Sequence, residues 1–229
     1  MLSIIPTPVG NKEDITLRGL RLFKELDTFF CEDTRTTQKL FSMYDISLSG
    51  KKLYAFTSHI SDKSLLFYTD LLQTKHCWLL SEAGTPGLSD PGKELVKLCR
   101  EQQIPFEILP GANALLPAVV ATPTDTSTFS FHGFLPVKKG RQTKLTEILQ
   151  LSTPTYVYES VHRIEKLLQE VKQLWYTGQV LIARELTKLH EQYLSGNVDY
   201  LLELVSTKTL PLKGEFVVCF FQSKQKKQK

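Results

Sequence analysis

Three short segments in the first half of the chain combine small residues with conformationally restricted ones, a composition that lets backbone approach a ligand closely. Pro6-Thr7-Pro8-Val9-Gly10-Asn11 turns sharply, because two prolines fix φ and a glycine frees it. Ser81-Glu82-Ala83-Gly84-Thr85-Pro86-Gly87-Leu88-Ser89-Asp90-Pro91-Gly92 precedes a helix that begins near Gly92 and that Asp90 is expected to cap. Pro110-Gly111-Ala112-Asn113-Ala114 is the third. Glu82 directly follows an apolar run, so its carboxylate is expected to face a cleft, where it suits a sulfonium, a ribose hydroxyl or an amine. Glu32, Asp33 and Glu185 also stand at the ends of β-like runs. Any of the four acids could take the proton of a poorly acidic hydroxyl. Each also has a plainer role: Glu32 and Asp33 as caps of a helix around Thr36, Glu185 as ion-pair partner of Arg184 or Lys188.

Other chemistries are missing from the sequence. Neither G-x-G-x-x-G nor a Gly-Lys-Ser/Thr phosphate loop occurs, which argues against ordinary dinucleotide and nucleoside triphosphate enzymes. Cys31, Cys77, Cys99 and Cys219 are far apart and form no C-x-x-C pair, so they read as buried free thiols and no metal is expected. His162 and His190 read as surface or packing residues, since His190-Glu191 lacks the second histidine of a zinc-protease helix.

The elements that must hold these segments alternate. Leu2 to Ile5, Thr28 to Cys31, Lys52 to Phe56, Cys77 to Leu80 and Phe106 to Leu109 read as strands, separated by amphipathic helices at Thr16 to Leu26, Thr36 to Met43, Ser61 to Leu72 and Gly92 to Gln102. That alternation predicts an α/β layer with a mainly parallel sheet, and ligands of such sheets bind at the carboxyl ends of the strands. After the apolar segment Ala114 to Ala121, the polar stretch from Pro123 to Thr128 reads as a junction, giving an N-terminal α/β domain over 1–122 and a C-terminal one over 123–229. In the second, Phe129 to Phe131, Thr155 to Glu159, Gln179 to Ala183, Glu191 to Leu194 and Glu215 to Phe221 read as strands, with helices at Lys144 to Gln150, Val161 to Trp175 and Val198 to Val205. Two strands without an intervening helix predict a mixed sheet.

Hydrophobic residues make up 41% of the 229, enough for a core in each domain, and no signal-peptide pattern or membrane-length apolar run is present. A soluble cytoplasmic protein is expected, with no membrane partner. Charge is unevenly divided: residues 1–110 carry 13 basic against 14 acidic side chains, and residues 111–229 carry 15 against 10, ending in the lysine-rich run Lys224 to Lys229. A basic second domain with such a tail suits a polyanion.

Eight segments occur here in the order in which they recur in the ribosomal RNA small subunit methyltransferase I family: Pro6 to Asn11, Glu32-Asp33-Thr34-Arg35, Ala83-Gly84-Thr85-Pro86, Ser89-Asp90-Pro91-Gly92, Gly133-Phe134-Leu135-Pro136, Tyr158-Glu159-Ser160, His162-Arg163 and Arg184-Glu185-Leu186-Thr187-Lys188. The chain resembles that family over almost its whole length. It departs at Glu82, where the family usually has aspartate, and at Ala112-Asn113 in the third loop. The resemblance implies a two-domain tetrapyrrole methylase fold, commonly homodimeric, that binds S-adenosylmethionine folded between its domains. It implies methylation of a cytidine ribose 2′-hydroxyl in small-subunit ribosomal RNA, with the RNA or the small ribosomal subunit as partner. The implied cofactor residues are Pro8, Gly10 and Asn11, the run Glu82, Ala83, Gly84, Thr85 and Pro86, and Pro110, Gly111 and Ala112, with Phe134, Leu135, Ala183, Arg184 and Leu186 from the second domain. Arg35, Lys138, Lys139, Arg141, Arg163 and Lys188 are expected on the RNA face, since arginine and lysine bind phosphate. A small-molecule methyltransferase of the tetrapyrrole type, or a non-catalytic ribosome-assembly protein, are the competing functions.

Overall fold

A computed structural model describes residues 1–56 and 62–222, apart from the side chains of residues 62 and 63. The lysine tail and Ser61, the expected start of the third helix, lie outside the described residues. The chain divides into two compact units, the first spanning Met1–Asn113.

In the first unit β1 (Leu2–Ile5), β2 (Thr28–Cys31), β3 (Lys52–Ala55), β4 (Cys77–Leu80) and β5 (Phe106–Ile108) form one sheet in the order β3-β2-β4-β1-β5. Every neighbouring pair is parallel, as the alternation predicts. β1, β2 and β4 are buried at every position, which is what helices on both faces of a parallel sheet produce. α1 (Leu17–Glu25) and α2 (Thr34–Met43) cover one face, where Phe23 and Phe41 pack on Ile5, Phe29, Trp78 and Leu80. α3 (Asp62–Thr74) and α4 (Lys93–Glu101) cover the other, with Leu72, Leu95 and Leu98 on Leu2, Ile4, Phe30 and Leu79. The period of two along each strand sends alternate residues to the two cores.

The second unit begins at Ala114, ahead of Pro123, because the apolar segment before the polar stretch is itself a helix of that unit. This α5 (Leu115–Ala121) lays Leu115, Ala118 and Val119 against Leu181, Ala183, Val217 and Cys219. Pro117 is tolerated because it falls in the first turn, where N–H groups have no intrahelical partner. The sheet holds β6 (Ser130–Phe134), β7 (Thr155–Ser160), β8 (Gln179–Arg184), β9 (Gln192–Gly196) and β10 (Glu215–Phe221) in the order β6-β7-β10-β8-β9. Only β6 and β7 run parallel, so the sheet is mixed, and β8 and β9 are the pair without a helix between them. Its other face packs on α6 (Arg141–Leu149), α7 (Ile164–Gln173) and α8 (Val198–Ser206) through Leu145, Ile148, Leu167, Leu168, Val171 and Leu201. All four cysteines are buried and free. No described helix is long and apolar enough to cross a membrane.

Phe41 tests the first core: it is fully buried, stacked on Phe23 at 5.4 Å and edge-on to Phe29 at 5.0 Å. Phe41→Ala should lower stability by about 3 to 5 kcal/mol, read as a shift in the urea midpoint.

Candidate functional site

The strand order of the first sheet sets the carboxyl ends of β2, β4, β1 and β5 side by side, so the loops that follow them are neighbours. Backbone ties three of these loops into one assembly. Thr7 and Gly84 exchange two hydrogen bonds of 2.9 Å, Thr7 N–H to the Gly84 carbonyl and Gly84 N–H to the Thr7 carbonyl. Thr7 Oγ1 donates to the Ser81 carbonyl at 3.2 Å, and Ser81 Oγ donates to the Gly84 carbonyl at 2.8 Å. Thr85 Oγ1 donates to the Ala112 carbonyl at 3.1 Å, fastening the third loop to the second.

Two glycines are required here. Gly84 has φ +78°, the left-handed region, and the nearest atoms to a Cβ built on it are Val9 Cγ2 at 3.8 Å and the Ala112 oxygen at 3.9 Å. A Cβ there would make only ordinary contacts, so the positive φ is what requires glycine. Gly111 is needed for contact, because a Cβ would meet the Pro6 Cβ at 2.7 Å. Glu82, Gly10, Asn11, Pro110 and Gly111 are exposed around this assembly, whereas Gly84 and Pro86 are buried within it. Asn11 Oδ1 accepts the Glu13 N–H at 3.0 Å and so caps a short helical turn.

The candidate acids separate by their surroundings. Asp33 caps α2 through Arg35 N–H at 2.7 Å and also pairs with the Arg35 guanidinium at 2.6 Å. Those hydrogen bonds hold its carboxyl down to about 2, too weak a base for the chemistry. The cap places the helix start at Thr34, one half-turn before the expected Thr36. Burial pushes the Glu185 carboxyl up, but bonds from Lys188 and the Glu215 N–H outweigh it and keep the carboxyl below its ordinary value. Glu82 is on the surface. Glu32 stands apart: its Oε1 is buried without a hydrogen-bond partner. Burial, followed by the charges of Asp90 and Glu82, raises its carboxyl to about 7. Asp90 corrects the sequence reading, since Gly92 begins α4 with no side-chain cap. Burial, then Glu82, instead raises the Asp90 carboxyl to about 6. No sequence signal separated Asp90 from an ordinary cap, because the Asp-Pro-Gly spelling suits both.

A second serine-centred cluster lies at the opposite end of the same sheet and is structural. Ser3 Oγ donates to Glu107 Oε1 at 2.7 Å and meets His76 Nε2 at 2.8 Å. A serine that spends its proton on a carboxylate, and is fully buried, is not poised as a nucleophile.

In the second unit, β6 running parallel to β7 and β10 running antiparallel to β7 and β8 bring the ends of β6, β7 and β8 and the start of β10 to one side of the sheet. Phe134 pairs with Tyr158, Ser160 with Glu215 and Arg184 with Phe216. Phe134 is half exposed and lies edge-on to Tyr158 at 5.6 Å, while Leu135, Ala183 and Leu186 are buried. The six basic candidates divide. Lys138 and Lys139 are exposed, and Arg35 is exposed beside Asp33. Arg141 does not face solvent: its side chain is 5% exposed and its guanidinium is bound to Glu159 at 2.9 Å and Glu170 at 2.8 Å. Arg163 holds the other oxygen of Glu159 at 2.8 Å, and Lys188 bridges Glu185 at 3.0 Å and Glu215 at 2.8 Å. Glu159, fully enclosed, is the centre of this network. Its signal in the sequence was a lone acid inside the apolar strand run Thr155 to Ser160.

Raised carboxyl values have a sign in stability. The protonated forms of Glu32 and Asp90 are favoured by the folded first unit, so their contribution is full below the unfolded values and falls away as pH rises through about 6 and 7. Glu32→Gln should therefore be more stable than the natural chain at pH 8 and no more stable at pH 4, as thermal unfolding at the two values will measure.

The sequence model of the Tetrapyrrole (Corrin/Porphyrin) Methylases matches residues 1–201. The chain is 37% identical to "Ribosomal RNA small subunit methyltransferase I" of Hydrogenobaculum sp., over 95% of this chain and 94% of that protein. It is 38% identical to the protein of that name from Pasteurella multocida, over 95% of this chain and 78% of the other. Among solved structures, uroporphyrin-III C-methyl transferase from Thermus thermophilus, complexed with S-adenyl homocysteine, shares the fold with a TM-score of 0.64, 15% identity and 96% coverage of both chains. With its parallel first sheet, mixed second sheet and interlocked loops, the chain belongs to the tetrapyrrole methylase family and, within it, to the group named ribosomal RNA small subunit methyltransferase I.

Proposed function

We propose that the chain transfers the methyl group of S-adenosylmethionine to the RNA of the small ribosomal subunit, at a cytidine ribose 2′-oxygen. The identity to the Hydrogenobaculum methyltransferase across 95% of the chain carries this reading. The first unit's loops suit the cofactor: their small residues let a flat ligand approach backbone, and Glu32 keeps a partnerless carboxylate oxygen at the end of the adjacent strand. Pro8, Gly10, Asn11, the run Glu82 to Pro86, and Pro110 to Ala112 would hold it. The family resemblance also assigns Phe134, Leu135, Ala183, Arg184 and Leu186 to the cofactor. When bound, the cofactor supplies a methyl group already activated on sulfur.

The protein's task is then positioning and a proton. Reactants held about 3 to 3.5 Å apart in line gain most of the acceleration. Glu32 takes the hydroxyl proton as the new carbon–oxygen bond forms, because of the four acids it alone combines a partnerless oxygen with a value near 7. Lys138, Lys139 and Arg35 offer charge to RNA phosphates, and the Lys224 to Lys229 tail extends that footprint. A homodimer in the cytoplasm, as the family resemblance implies, completes the proposal, and sedimentation equilibrium will test the dimer.

Incubation with labelled S-adenosylmethionine and either small subunits, bare ribosomal RNA or a porphyrinogen identifies the substrate, and label on the porphyrinogen alone would refute the RNA assignment. A 2′-O-methylated ribose resists alkaline cleavage at its 3′ phosphate, so label confined to a base would refute the acceptor. Glu32→Gln should lower kcat about 100-fold or more with cofactor affinity nearly kept. In the natural chain kcat should rise with pH through about 7 as Glu32 ionises, then level off.

A further inference from the structure

Arg184 is a buried cation without a carboxylate. Its side chain, 5% exposed, donates from Nε to the Lys213 carbonyl at 2.6 Å and from Nη1 to the His190 carbonyl and Gln192 Oε1, both at 3.1 Å. Every one of these acceptors is neutral. The nearby carboxylate of Glu185 is already taken by Lys188 and the Glu215 N–H. Its remaining nitrogen, Nη2, makes no hydrogen bond among the described residues and is not one of the buried orphaned atoms. Arg184 lines a surface depression of about 480 Å³ with Leu189, His190, Glu191, Gln192, Pro211 and Lys213.

A guanidinium withdrawn from water needs a counter-charge or strong acceptors; the direct acceptors of Arg184 are all neutral, and Glu185, whose carboxyl its charge helps to hold down, is shared with Lys188. The wall adds Lys213, whose side chain is exposed, and His190. The acid on the wall, Glu191, has one oxygen committed to the Thr187 N–H. The loop that carries these residues is held in place: Glu185 and Thr187 adopt φ of 51° and 61°, and Lys188 binds the loop to both Glu185 and Glu215. A depression lined by a guanidinium with one uncommitted nitrogen and by an exposed lysine suits an oxyanion such as phosphate.

We propose that this depression is a phosphate site, bound by Arg184 Nη2 and the Lys213 ammonium, and that its natural occupant is a backbone phosphate of the RNA substrate. Leu189, 93% exposed on the rim, is placed for apolar contact with the adjoining sugar. The RNA part rests on the proposed function; the phosphate part does not.

Two measurements separate them. In calorimetry at low ionic strength, inorganic phosphate should bind the natural chain saturably and bind Lys213→Ala several-fold more weakly, with sulfate behaving like phosphate and chloride not. Lys213→Ala leaves the carbonyl that Arg184 uses, so the fold should be kept; Arg184→Lys, which keeps charge but loses the fork, is the second variant and is checked first by thermal unfolding. In fluorescence anisotropy with a small-subunit RNA fragment, the log–log dependence of affinity on salt should fall by about 0.7 to 0.9 in each folded variant, the value of one phosphate contact, and Lys213→Ala should keep its S-adenosylmethionine affinity. Loss of phosphate binding with an unchanged salt slope would assign the site to free phosphate and overturn the RNA occupant. No saturable phosphate binding to the natural chain would overturn the site. A chain that binds phosphate here but methylates no RNA would refute the proposed function and leave the site standing.

Discussion

Two hydrogen bonds between Thr7 and Gly84 hold together the end of the first sheet where all its candidate chemistry lies. In a parallel sheet the ladder stops at the last strand residue, and the loops beyond it are free to diverge. Here one antiparallel bridge continues the contact between the β1 and β4 loops past Ile5 and Leu80. The bridge is possible only because residue 84 can adopt a positive φ, and it is stiffened by Ser81 and Thr7 hydroxyls that satisfy the carbonyls around it. Thr85 carries the same restraint to the β5 loop. The ties are made by backbone and short hydroxyl side chains.

Pairing of charge then sorts the ionisable residues of both units. Glu159 is completely enclosed and completely paired, one oxygen to Arg141 and the other to Arg163. Removing one partner from such a group strands a buried charge at a cost of about 3 to 5 kcal/mol, whereas the intact cluster mainly fixes where β7, α6 and α7 meet. Arg184 and Glu32 are the opposite case: a buried guanidinium with only neutral acceptors, and a carboxylate oxygen with none. Groups left incomplete by the fold are the ones able to respond to something the fold does not contain.

The element order was legible because each strand of the first sheet is a short apolar run between amphipathic stretches, and all five ended within one residue of the expected position or on it. The helix at Leu115–Ala121 was not, since Leu115-Leu116-Pro117-Ala118 is too short and too uniformly apolar to show a period, and its proline reads as a breaker unless the first-turn position is known. That one unseen helix is also why the second unit begins ahead of the polar stretch. At the site, the three small-residue loops were visible as composition, but which acids were free was not. Arg141 and Lys139 are equally basic in a sequence; one is buried against Glu159 and the other is exposed, a difference made by a glutamate eighteen positions away in the chain and adjacent in space.

The acids of the first unit are best understood as a coupled set. Burial, then the charges of Asp90 and Glu82, raises the cost of ionising Glu32, and burial, then the charge of Glu82, raises that of Asp90. Around neutral pH the set therefore holds its full negative charge only marginally. A proton arriving at Glu32 removes one charge from a repelling group, so proton uptake is favoured more than for a solvated carboxylate, while the ionised form is still populated enough to act. Asp33, one residue further along, is driven the other way by its hydrogen bonds with Arg35 and stays ionised across the same range. Two adjacent acids in the chain thus have opposite properties: one is fixed as the cap of α2, and the other, at the very end of β2, is left to exchange protons.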